Sequence, residues 1–121
     1  MMRILCLCLF VTLLYAACTN QYKVPGDIIP KEKMEKVLWD MLLADRFASS
    51  YIAKDSSKNL QEENFKLYEQ VFGVHDITRE EFVKSFKYYL TRPDITMVVL
   101  DSLSAEATRK REDIYKGLIT K

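Results

Sequence analysis

A chain of 121 residues has room for one domain and no more. Three glycines and three prolines are too few for the frequent turns of an all-β fold, and the same scarcity argues against disorder. Lys and Arg number 18 against 17 Asp and Glu, and setting Arg3 aside leaves the charges balanced from Cys18 onward. A nucleic-acid partner needs a cationic surface that releases counterions from phosphates, so none is expected.

Met1-Met2-Arg3 is a short positive segment, and Ile4 to Tyr15 is a continuous apolar run. Small residues Ala16-Ala17 follow, then Cys18 and polar Thr19-Asn20-Gln21. Crossing a bilayer takes about 20 apolar residues, so residues 1–17 read as a signal peptide. Tyr15-Ala16-Ala17-Cys18 resembles the lipobox of bacterial lipoproteins, with Tyr15 where Leu is usual. Cys6 and Cys8 fall in the discarded signal and Cys18 is the last cysteine. One leftover thiol is anomalous in an exported protein, and a lipid on Cys18 removes the anomaly. The alternative is an ordinary secretory signal cut near Ala17, leaving Cys18 free. Lipidation makes the membrane a partner, since each buried methylene contributes about 0.8 kcal/mol. Neither an acidic cluster after the cysteine nor an Asp at position 19 is present, so the expected location is the periplasmic face of the outer membrane.

Residues 18–30 carry Pro25, Gly26 and Pro30 without helical period, and read as a lipidated N-terminus and extended tether. The dozen residues from Thr19 to Pro30 reach about 40 Å at roughly 3.3 Å each. Residues 31–121 are expected to form an all-α domain, a compact bundle of about four helices. The first runs from Lys31 to Lys54, with Met34, Leu38, Met41, Ala48 and Ile52 in one stripe. Val37, Leu42, Ala44, Phe47 and Tyr51 widen it, which marks a central helix covered on more than one side. After a loop at 55–59, a second helix spans Leu60 to Phe72 with Gly73 as its left-handed cap. Thr78-Arg79-Glu80-Glu81 is a capping box that opens a third helix with face Phe82, Phe86, Tyr89 and Leu90, and Ile77 staples its start. Pro93 ends that helix and begins a fourth, with Ile95, Val99, Leu103 and Ala107 inward and an exposed, charged stretch after Thr108.

Asp45 falls within the first helix's apolar stripe and Asp40 at its flank. A buried carboxylate is costly unless paired, so each is either a functional acid or the partner of a Tyr, Arg or Lys from another helix; the structural pair is the favoured reading. His75, the sole histidine, sits in a loop and reads as solvated. No Gly-rich phosphate loop or zinc-ligand spacing is present. No catalytic residue, metal or cofactor is expected, and the chain reads as a non-enzyme.

The run IIPKEKMEKVLWD from Ile28 to Asp40 and the block GVHDITREEFVKSFKYYLTRPD from Gly73 to Asp94 resemble a family of short Bacteroidetes lipoproteins catalogued as a domain of unknown function. That resemblance implies a small helical exported lipoprotein and carries over no catalytic residue. The turn after Gly73 is also similar to the helical arm of periplasmic peptidyl-prolyl isomerase chaperones. The expected function is a membrane-anchored accessory or protein-interaction module with a protein partner in the envelope. The alternatives are a chaperone-like module or an enzyme using Asp40 or Asp45.

Overall fold

The computed structural model describes residues 23–120. Helix α1 spans Lys31–Ser50, α2 Leu60–Val74, α3 Arg79–Leu90 and α4 Pro93–Ile119, with a 3-10 turn at Ile52–Lys54. The domain is all-α with four helices, as the periodicity predicts. Helix α1 is central, packing against α2 on one side and α4 on the other, while α3 lies against α4.

Two clusters of buried side chains flank α1. Val37 meets Val71 and Phe72 of α2, with Met41 and Ala44 at the border. Met34 meets Tyr89, Ile95 and Val99, with Leu38 and Leu103 at the border. Met34, Val37 and Ile95 are fully buried, and each such side chain contributes roughly 1.5–3 kcal/mol over its exposed state. Ile77 and Phe82 touch both clusters and join them into one core.

The last residues of the expected tether belong to the folded body. Ile28 and Ile29 are buried in the α1–α4 cluster, and Val24 packs at its edge. A turn closed by the Ile28 amide on the Pro25 carbonyl aims both isoleucines inward. Helix α3 then holds both backbone polar groups of Ile29. Its N–H donates to Ser85 Oγ at 2.9 Å, and its carbonyl accepts from the Tyr89 hydroxyl at 2.9 Å. Outside, Lys84 donates to Asp27 at 2.6 Å. Periodicity missed this strap because one pair of apolar residues between prolines has no period to detect.

Two helix ends differ from expectation. The α-helical part of α1 stops at Ser50, and the 3-10 turn carries Ile52 inward. Ser49 bonds back to the Arg46 carbonyl, the local competition by which serine loosens a helix end. Helix α2 continues through Gly73 to Val74, and the left-handed residue is Asp76, at φ 49°. The Ile77 amide bonds to the Phe72 carbonyl and the Asp76 amide to Gly73, which makes a Schellman end. Asp is among the few side chains that tolerate this conformation.

The capping box forms as predicted: Glu81 N–H donates to Thr78 Oγ1 and Thr78 N–H to the Glu81 carboxylate. In α3 the buried face is Ser85 and Tyr89, flanked by Phe82 and Tyr88. Phe86 stays exposed while stacking on Phe82, and Leu90 faces outward. In α4, Ile95, Val99 and Leu103 face the core as expected, whereas Ala107 is exposed.

The strap should be part of the cooperative unit. Ile29→Ala is expected to cost about 2–5 kcal/mol, and Ser85→Ala about 1–3 kcal/mol because it strands a buried amide. Urea unfolding followed by circular dichroism checks both, and an unchanged midpoint for Ile29→Ala would detach the strap from the fold.

Candidate functional site

Cys18 and the signal segment 1–17 lie outside the described residues. Asp40 and Asp45 are described, and the five-residue step between them turns about 140° around α1. They therefore serve different surfaces and do not form a carboxylate pair.

Asp45 is exposed, not within the buried stripe. It accepts a hydrogen bond from the Tyr68 hydroxyl of α2 at 2.5 Å. That bond to the carboxylate, with desolvation and the negative charge beside it, pushes the Tyr68 phenol up to about 12. The tyrosine-hydroxyl partner is among those the sequence reading allowed for these acids.

Asp40 is half-buried and pairs with His75, whose Nε2 donates to Asp40 Oδ2 at 2.7 Å. His75 is not a solvated loop residue: its side chain is 13% exposed. Because α2 extends to Val74 before its Schellman end, His75 becomes the C-cap residue and reaches α1. A cap left at Gly73 would have placed it elsewhere, which is why the pair escaped sequence reasoning.

This pair lines an open groove of about 610 Å³ between α1 and α4, where Trp39, Ser102 and Arg109 also lie. Serine, histidine and aspartate thus share one groove. Asp40 engages one ring nitrogen of His75, and among the described residues no hydrogen bond joins Ser102 to the other, so the three are not linked as a catalytic relay would be. The arrangement holds α1 to the α2–α3 corner. No cluster of three or more His, Cys, Asp or Glu stands in metal-binding geometry among the described residues.

The outer side of α1 is apolar. Leu43, Phe47 and Tyr51 recur at four-residue steps, beside Leu42, and each is at least half exposed. The Phe47 and Tyr51 rings pack on each other at 5.2 Å. Leu42, Phe47 and Tyr51 were expected to be covered by neighbours; α2 and α4 instead claim the sides of α1 that carry Val37, Ala44, Met34 and Leu38. Phe65 of α2 is also exposed, with the Arg79 guanidinium over its ring at 3.7 Å.

Residues 25–113 match the family described as Domain of unknown function (DUF4296). The chain belongs to this family. The DUF4296 match takes in the docked strap, the Asp40–His75 and Asp45–Tyr68 pairs and α4 as far as Asp113. No curated protein and no solved structure matches the chain. No helix among the described residues is long and apolar enough to cross a membrane.

The Tyr68–Asp45 bond sets a pH dependence. A phenol whose pKa is raised on folding stabilises the fold fully below its unfolded value near 10 and loses that contribution as pH rises through about 12. Burial pushes the Tyr89 phenol up to about 12 as well. Titration of phenolate absorbance should therefore show two late groups in the native protein; Tyr68→Phe should remove one of them, and Asp45→Ala should move one toward the ordinary range.

Proposed function

We propose that the protein is a lipoprotein of the bacterial envelope, anchored through lipid on Cys18 at the periplasmic face of the outer membrane. Its helical body is a non-enzymatic accessory module that binds a protein partner. One observation carries the binding role: the Leu43–Phe47–Tyr51 face, an aromatic and aliphatic stripe left in water by a helix whose other sides are packed. Contiguous exposed apolar surface of this kind marks interaction sites, and aromatics dominate binding energy at them.

Support for the anchor comes from the lipobox-like Tyr15-Ala16-Ala17-Cys18 and from the position of the strap. Six residue steps run from Cys18 to Val24, the first of the described residues packed on the core. They reach about 20 Å at roughly 3.3 Å each, half the span expected of the full tether. An anchored body would therefore sit close to the membrane. Asp40 and Asp45 each have a partner from another segment, which supports structural roles over an enzymatic one.

Exposed Phe47, Tyr51, Phe65 and Phe86 favour a second reading, a chaperone-like module that shields apolar segments of envelope proteins. The two readings separate by partner: one defined protein, or unfolded chains in general.

A photo-crosslinker at Phe47 in envelope membranes is expected to capture a discrete adduct with another protein, lost when Tyr51→Asp is added. No adduct, together with substrate turnover by the purified protein, would overturn the proposal; suppression of aggregation of many unfolded proteins would select the second reading. Separately, Cys18→Ser should leave an uncut precursor without acyl mass. A soluble wild-type protein with a free Cys18 thiol would refute the anchor.

A further inference from the structure

Helix α4 carries a second exposed face. Ile95, Val99 and Leu103 point into the core. On the adjacent flank stand Met97, Leu100, Ser104, Ala107, Arg111, Ile114 and Leu118, in steps of three, four, three, four, three and four. That is the seven-residue period of a coiled-coil seam. Met97, Leu100, Ile114 and Leu118 are all more than half exposed. From Ala107 to Thr120 every residue is exposed, so the second half of α4 stands clear of the described body.

We infer that this face pairs with a second copy of the chain, α4 against α4 in antiparallel orientation. A parallel, in-register pair would oppose Arg111 to Arg111 and Ser104 to Ser104. Antiparallel pairing about a twofold axis near Arg109 sets Leu100 opposite Leu118, Ser104 opposite Ile114, and Ala107 opposite Arg111. The inner layers then place a small side chain against a large one, which lets the layers interdigitate. The surface is self-complementary, as a twofold interface requires.

The uneven cover of α4 points the same way. Its first half is packed by its own body and its second half is bare. Antiparallel pairing lays each body beside the partner's bare half, where Tyr115 and Ile119 are exposed. Residues 100–118 span about 28 Å at 1.5 Å per residue, and a helix is roughly 10 Å wide. That footprint of about 280 Å² falls well short of the ~800 Å² per partner of a standard interface. The bodies must supply the rest, and the dimer is weak. A lipid surface fits less well, because Arg111 lies in mid-stripe and Glu106, Glu112 and Asp113 accompany the nearby cations.

Thr108 lies beside the proposed axis and Asp113 on the far side of the helix. Full-length chain with Thr108→Cys, oxidised in envelope membranes, is expected to form a disulfide dimer above the wild-type background from its own cysteines; Asp113→Cys is not. Sedimentation of the full chain in mild detergent should show concentration-dependent dimers. Leu118→Asp should weaken them roughly tenfold or more with helicity unchanged. Phe47→Asp should leave them intact, which separates this inference from the partner-binding reading. A monomer at every concentration would overturn it, as would equal linkage at both cysteines. So would a dye at Ile114→Cys that is shielded only when phosphatidylglycerol–phosphatidylethanolamine vesicles, or another envelope protein, are present.

Discussion

Both backbone polar groups of one residue, Ile29, are consumed by side chains of α3. A non-helical backbone in a core has no helix or sheet ladder to satisfy it, and an unmet buried amide or carbonyl is costly. Ser85 and Tyr89, one turn apart, meet that requirement and allow Ile28 and Ile29 to fill the space between α1, α3 and α4. In a domain this small such a contribution matters, because folding stability is a small difference between large terms. The strap also ties residues 24–29 to the body, so the packed unit extends almost to the N-terminal edge of the described residues.

The α2–α3 corner performs a comparable task on the other side of α1. Left-handed geometry at Asp76 turns the chain sharply enough for Ile77 to reach both core clusters. The same turn sets His75 against Asp40, and Lys33 of α1 donates to the Asp76 carbonyl at 3.4 Å. Polar contacts thus tie α1 to the corner where apolar packing between α1 and α3 is thin. Asp45–Tyr68 ties α1 to α2 farther along. Both acids that a sequence reader would suspect of chemistry are engaged in holding elements together.

Regular apolar stripes stay exposed on α1 and on α4, and the surfaces differ in kind. On α1 the stripe is short, aromatic and borne by a helix fixed on its other sides, suited to a rigid patch for a partner. On α4 the stripe is long and narrow and continues past the body, suited to another helix. Each reflects the same constraint: a helix buries only the sides its neighbours can reach, and four helices of unequal length cannot cover every apolar stripe.

Four helices, their order, the capping box and the proline that starts α4 were legible in the sequence because each depends on residues within a few positions of one another. The lipobox-like Cys18 segment is a local pattern of the same sort. Tertiary structure alone decided which of two competing stripes on α1 would be buried, since Leu43, Phe47 and Tyr51 have as regular a spacing as Met34, Leu38 and Met41. It also decided that Gly73 would stay helical and Asp76 would turn, and that Ser85 would be wholly buried. The partners of Asp40, Asp45 and Ile29 lie 35, 23 and 56 to 60 residues away. Local propensity has no knowledge of which groups will meet across such distances; packing chose them, because only in the assembled core does a buried polar group need a partner.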